Sequence, residues 1–245
     1  MEYITITNEN IEKEHICCAI GDKKHQAGVN SKKEWIRSKL KDGHVFRKLD
    51  ARGKTFIEYE PIETSWVPIE GKHYTYIYCL WVSGKFKGQS YGKQLLEYVI
   101  NDAKKEGKQG VCVISSKKKS YLADKKCFLK YGFEVVDQIE DYELLSLSFN
   151  HQKPFFCKSV KQMMIDSNHI TIYYSPQCPF TLNCIHEIKE YIKDCNIQVA
   201  FIKIDTLEKA KNIPCIFNNW AVFKNGKYVS HILLNKKGFE KLLND

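Results

Sequence analysis

Val82-Ser-Gly-Lys-Phe-Lys-Gly-Gln-Ser-Tyr-Gly-Lys-Gln-Leu-Leu96 joins an apolar run, a short loop of glycines and small polar residues, and the start of an amphipathic stretch. A strand–loop–helix junction of this kind leaves the first N–H groups of the helix unpaired, and the helix dipole adds positive potential there, so it suits a phosphate. Gly88 and Gly92 allow close backbone approach, and Lys87 and Lys93 add charge.

Outward from this loop, Tyr74, Tyr76, Tyr78 and Leu80 alternate, with Ile77 and Trp81 between them, so residues 73–82 read as a central strand whose tyrosines and Leu80 share one face. On the other side, Leu95, Leu96, Val99, Ile100 and Ala103 recur at helical spacing, and Gly107 and Gly110 bracket the helix end. Residues 110–114 read as a buried strand and 120–130 as a helix. Tyr131-Gly132-Phe133 breaks that helix and opens strands at 133–136 and 142–149. Before the central strand, the sequence predicts strands at 3–7 and 16–20 and a helix at 32–41. A hairpin follows over 45–59, turning at Arg52-Gly53-Lys54.

Residues 151–168, with Pro154 and several polar residues, read as a linker with a short helix near 158–165. A second unit follows. Ile170, Ile172 and Tyr174 alternate, Ser175-Pro176-Gln177 turns, and Cys184, Ile185, Ile188, Tyr191, Ile192 and Cys195 form a helical apolar stripe. A strand at 197–204, a short helix at 207–211, a hairpin turning at Asn225-Gly226 and a terminal helix with Phe239, Leu242 and Leu243 complete a β-α-β-α-β-β-α order. The domains are therefore expected at 1–150 and 169–245.

The whole chain has 245 residues, 43% apolar and 27% charged, as in ordinary globular proteins. No apolar run approaches the length of a membrane span and no signal-peptide pattern opens the chain, so a cytoplasmic location without membrane partners is expected. The net charge of +9 suits an anionic ligand. Lys117-Lys118-Lys119 is the densest basic run, but no nucleic-acid motif accompanies it, and no nucleic-acid partner is expected. The ten cysteines include no CxxC pair, so no metal site is expected, and reduced thiols are the expected state.

Residues 74–149 resemble the GNAT-type acetyl-CoA-dependent N-acetyltransferases. The family's pyrophosphate loop reads Gln/Arg-x-x-Gly-x-Gly/Ala, and Lys87-Gly88-Gln89-Ser90-Tyr91-Gly92 falls in that register, with the Tyr131-Gly132-Phe133 junction further on. Lys87 stands where Arg or Gln is usual, and Ser90 replaces the first motif glycine. The resemblance implies a mixed central sheet with flanking helices, an α/β (α+β) class, and acetyl-CoA as co-substrate. It places pyrophosphate on the N–H groups of Gly88, Gln89, Ser90, Tyr91, Gly92 and Lys93, beside Lys87, and the pantetheine arm along Trp81–Val82. Phe128 occupies the cofactor-side position where the family often has a tyrosine that protonates the leaving thiolate, and Tyr76 a strand position where some members carry a glutamate base. Candidate catalytic groups are Glu58, Glu60, His73, Tyr76 (through water) and Tyr131.

The second unit resembles a thioredoxin-like fold, with Cys178-Pro179-Phe180-Thr181 similar to a glutaredoxin monothiol site. A GNAT unit fused to such a unit looks like the YoaP-type acetyltransferases. The resemblance implies acetyl transfer to the amine of a small molecule or peptide by direct attack in a ternary complex, in a monomer or homodimer. Two other readings stay open. One is a thiol oxidoreductase or sensor centred on Cys178, whose thiol pKa a helix N-terminus would lower. The other is a CoA-binding regulator without catalysis. Cys215, after Pro214, is a candidate neighbour of Cys178. Cys184 is too far along the helix to be one.

Overall fold

The computed structural model describes residues 1–117 and 122–244. Lys118 and Lys119 of the basic run, and the expected helix start at Ser120, lie outside the described residues.

The first unit runs β1 (Tyr3–Thr5), α1 (Gln26–Leu40), β2 (Val45–Leu49), β3 (Thr55–Pro61), β4 (Ile69–Glu70), β5 (Tyr74–Val82), α2 (Tyr91–Lys105), β6 (Gly110–Ser116), α3 (Lys125–Leu129), β7 (Glu134–Ile139) and β8 (Tyr142–Ser148). Seven strands form one mixed sheet in the order β1-β2-β3-β5-β6-β8-β7. The stripe Leu95, Leu96, Val99, Ile100 and Ala103 lays α2 on one face, against Ile57, Ile77 and Val111. On the other face α1 contributes Trp35 and Ile36 to a core with Phe46, Phe56, Tyr74, Tyr76 and Tyr78. Removal of these side chains from water, at about 25 cal/mol per Å² of apolar surface, is what holds the layers together.

Residues 16–20, expected as a strand, have no regular structure. Ile16, Cys17 and Ala19 are nonetheless buried, so their apolar character reflects a loop pressed onto the core. The first helix begins at Gln26, well before position 32.

β9 (Phe155–Phe156) lies inside the segment expected as a linker. It pairs with β4, matching Ile69 to Phe156 and Glu70 to Phe155. At the other end of the same segment, Ile165 N–H donates to the Gly226 carbonyl and Tyr228 N–H to that of Met163. β4 and β9 form a small sheet of their own, and the connection is therefore tied to both units. The short helix expected there is a 3-10 turn, Lys158–Gln162.

The second unit comprises β10 (Ile170–Tyr174), α4 (Thr181–Ile192), β11 (Val199–Lys203), α5 (Leu207–Asn212), β12 (Trp220–Lys224), β13 (Lys227–Ser230) and α6 (Lys236–Asn244). Its sheet has the order β11-β10-β12-β13, with β10 parallel to β11 and antiparallel to β12. Asn225 (φ +50°) and Gly226 (φ +76°) both take the left-handed region that a tight hairpin requires.

The two sheets meet over a wide front. Lys211 Nζ donates to the carbonyls of Ile62 (2.8 Å) and Ile69 (2.7 Å), and the Tyr142 hydroxyl lies 2.6 Å from both the Tyr228 hydroxyl and His231 Nδ1. Gly28 on α1 touches Pro179 so closely that a Cβ would stand 1.8 Å from the Pro179 carbonyl oxygen, so only glycine fits there.

Candidate active site

Two strands part company at the centre of the large sheet. β5 and β6 are paired in parallel at only three positions, Tyr74↔Gly110, Thr75↔Val111 and Tyr76↔Cys112. Beyond Tyr76, β6 continues along β8 to Ser116 while β5 runs on to Val82 paired only with β3. The β5 edge from Ile77 to Val82 thus presents backbone groups to an open cleft, where an extended ligand can pair with them.

β5 also carries a bulge. Opposite β3, Glu58 pairs with Cys79 and Tyr59 with Ile77, so Tyr78 is an extra residue. The expected alternation breaks there. Tyr74, Tyr76, Tyr78 and Cys79 all pack toward the α1 side, while Leu80 packs with Ile77 on the α2 side.

The loop after β5 makes a 3-10 turn, Gly84–Phe86, and enters α2 through Gly88 (φ +75°) and Ser90 (φ +62°). Ser90 is the N-cap residue, and its side chain makes no capping bond. The first-turn N–H groups of Tyr91, Gly92 and Lys93 are therefore not capped by the Ser90 side chain. Lys87, Gly88, Gln89, Ser90 and Lys93 are exposed, and Tyr91 and Gly92 half-buried, which leaves this helix start accessible to an anion.

On the α1 side, a cavity of about 560 Å³ lies between the two units. Its walls include Phe56, Glu58, Tyr78, Cys79 and Trp81 from the first unit, and Gln177, Cys178, Asn219 and Trp220 from the second. The volume is that of a small-molecule site, and it touches the strand whose opposite edge borders the cleft.

Beneath the cavity runs a buried chain of alternating charge. Lys32 Nζ is 2.7 Å from Glu58 Oε2, His44 lies 3.3 Å from both Glu58 Oε1 and Glu60 Oε2, and Lys39 Nζ is 2.6 Å from Glu60 Oε1. Both carboxylates are fully buried. The Tyr78 hydroxyl donates to Glu60 Oε2 at 3.0 Å and accepts from Trp66 N–H at 2.7 Å. Burial would raise the Glu58 pKa, but Lys32 and His44 outweigh it and hold the carboxyl below its usual range. For His44, burial favours the neutral ring and the two glutamates favour the charged one. The glutamates prevail, so its pKa lies above 6.5. The same balance, tipped by Glu58, raises Lys32.

Of the expected catalytic residues, Glu58 alone lines the cavity. Glu60 sits one layer deeper, engaged by Lys39, His44 and Tyr78. His73 is exposed at the opposite end of β5. Tyr76 is 1% exposed, with its hydroxyl 3.5 Å from Asn218 Oδ1, and burial drives its pKa well up, so it makes a poor base. Tyr131 packs on the α2-side core. Phe128, expected beside the cofactor, is 2% exposed and edge-on to Phe133 at 5.1 Å, which makes it a core residue.

Cys178 lines the cavity. Burial pushes its thiol up to about 12, against the lowering expected from the helix start. Cys215 is fully buried in a separate core with Ile204, Ile213 and Phe217 and does not line the cavity. Cys184 belongs to the apolar stripe of α4, as its spacing implies.

Sequence reasoning missed Lys32, Lys39, His44, Tyr78 and Gln177. One signal was available. Glu58 and Glu60 lie two apart in a strand whose neighbours are apolar, and Lys32 and Lys39 lie seven apart on the helix face of Trp35 and Ile36. Carboxylates on the inner face of a strand require such cations.

Residues 22–133 match the family model of the acetyltransferase (GNAT) family, and residues 198–241 match the YoaP-like model. The chain is 41% identical over 248 residues to the uncharacterized N-acetyltransferase YoaP of Bacillus subtilis, covering 100% of this chain and 99% of that protein. Among solved structures, PaiA N-acetyltransferase from Thermoplasma acidophilum with coenzyme A is 15% identical, covering 61% of this chain and 100% of its own, with a TM-score of 0.43. A GNAT family acetyltransferase from Brucella melitensis with acetyl-CoA is 11% identical, covering 63% and 92%, with a TM-score of 0.40.

Proposed function

We propose that this chain, which belongs to the family of YoaP-like N-acetyltransferases, takes its acetyl group from acetyl-CoA bound at the β5–β6 cleft and delivers it to a small-molecule amine held in the cavity beneath the second unit. The observation that carries this reading is the shared strand. β5 offers one open edge to the cleft and, through its bulge, turns Tyr78 and Cys79 to the cavity side.

In this reading, the pyrophosphate sits on the N–H groups from Gly88 to Lys93 with Lys87 beside it, and pantetheine lies along Trp81–Val82. Backbone N–H groups of that edge polarise the thioester carbonyl. The neutral amine attacks the carbonyl carbon, a C–N bond forms, the C–S bond breaks, and the CoA thiolate leaves and takes a proton from water. Glu58 is ionised and faces the cavity, so it receives the proton lost by the amine, directly or through water. With His44 charged, the cations Lys32, Lys39 and His44 are balanced by Glu58, Glu60 and Asp42, the last 3.2 Å from Lys39.

We read the second unit as thioredoxin-like, supported by its strand order and its β-α-β-α-β-β-α sequence, and assign it the role of cavity wall. The test is calorimetric titration with acetyl-CoA, followed by turnover over an amine library read as free CoA thiol. Micromolar binding with turnover of at least one amine is expected. Absence of acetyl-CoA binding overturns the reading.

A further inference from the structure

The polar groups around the cavity divide into those already partnered and those that are not. Lys24 is paired with Glu187 at 2.6 Å, and Lys32 with Glu58 at 2.7 Å. Lys54, half-buried and also in the wall, makes no ion pair or side-chain hydrogen bond among the described residues. The indole N–H of Trp220 and Nδ1 of His25 have no hydrogen-bond partner among the described residues, but both are buried away from the open space of the cavity.

The Lys54 ammonium donates hydrogen bonds and accepts none. A buried donor without a partner carries a desolvation cost that a ligand acceptor removes. Lys54 also leaves the cavity wall with a cation unbalanced by any carboxylate, since the two wall glutamates are engaged by Lys24 and Lys32. The complement to such a wall is an oxyanion.

We infer that the acceptor is a small amino acid-like molecule bearing a carboxylate as well as the reacting amine, with Lys54 taking the carboxylate. Its amine then faces Glu58 and the β5 strand. This deepens the transferase reading and rests on it for the fate of the amine. The binding of a carboxylate is testable without turnover.

The experiment is a calorimetric titration of the full chain, with and without CoA, using the twenty common amino acids, their amides and the corresponding decarboxylated amines. At least one acid is expected to bind about tenfold or more tightly than its amide and its amine, as a charge-assisted contact implies. Lys54→Gln should collapse that ratio toward one, and Lys54→Arg should restore it. The inference is overturned if no acid binds, if amides and amines bind as well as the acids, or if Lys54→Gln weakens acetyl-CoA and leaves the acid-to-amide ratio intact. Failure of acetyl-CoA to bind in the same instrument strikes the transferase reading alone, since the amino acid titrations are read separately.

Discussion

Gln177 Nε2 donates to Glu58 Oε2 at 3.2 Å, a bond between residues 119 positions apart that carries the second unit into the buried charge network of the first. Gln177 is itself held, accepting from Asn219 Nδ2 at 3.4 Å and donating its own N–H to Ser175 Oγ at 3.0 Å. Gln177→Leu keeps the volume and deletes the donor. It should cost about 1–2 kcal/mol of stability, because a buried carboxylate oxygen loses a partner, and should lower kcat/KM by about tenfold through misplacement of Glu58. Urea unfolding beside steady-state kinetics checks both. Full activity in the variant would remove the second unit from the site.

His44 makes stability depend on pH. Its folded pKa is raised above 6.5, so its contribution is complete below that pH and is lost as pH rises through the folded value. Glu58 has the opposite sign. Its folded pKa lies below 4.5, so its contribution is present above 4.5 and lost as pH falls through the folded value. Urea unfolding from pH 5 to 9 should therefore show a plateau that falls on the alkaline side beginning above 6.5. In His44→Gln that alkaline fall should shrink, at a lower overall stability.

Ser90 holds φ +62°, a left-handed conformation that costs a residue with a Cβ about 1 kcal/mol relative to glycine. Its side chain caps nothing, so little is forfeited by removing it. Ser90→Gly should raise stability by about 0.5–1 kcal/mol and hold acetyl-CoA at least as tightly. Chemical denaturation and calorimetry measure the two effects, and a loss of stability would show that the hydroxyl has a role.

The Cys178 thiol, pushed up to about 12 from an ordinary 9.0, has a thiolate fraction at neutral pH lower by roughly a thousandfold. Its alkylation by iodoacetamide should lag far behind that of exposed Cys127, as peptide mapping after a timed pulse would record. Faster labelling at Cys178 would restore the thiol-redox reading.

Local patterns made the β5–α2 junction legible. The loop from Val82 to Leu96 and the stripe of α2 depend on residues a few positions apart, and short-range spacing specifies them. The cavity between the units depends on contacts no window contains. Lys32 meets Glu58 across 26 positions and Gln177 meets it across 119. A lysine on a helix reads as solvent-facing until its carboxylate is known, and His44 follows a glycine at a strand start with no periodic neighbour to mark it. The loop at 16–20 misled for the converse reason. It is apolar because it is buried, and burial alone does not select a strand.

The extra residue at Tyr78 acts as a shift of phase along β5. Up to Tyr78 the even-numbered side chains face α1, and from Cys79 the odd-numbered ones do, so a substitution series through the strand reads with opposite parity in its two halves. Deleting Tyr78 alone would return the strand to simple alternation with Cys79 and Leu80 still on their own sides. Deleting Cys79 would do the same, with Tyr78 taking its place, whereas deleting a residue well away from this pair would exchange the faces of the residues between it and the bulge. The bulge that bends β5 is thus also where the sheet is best built to absorb a deletion.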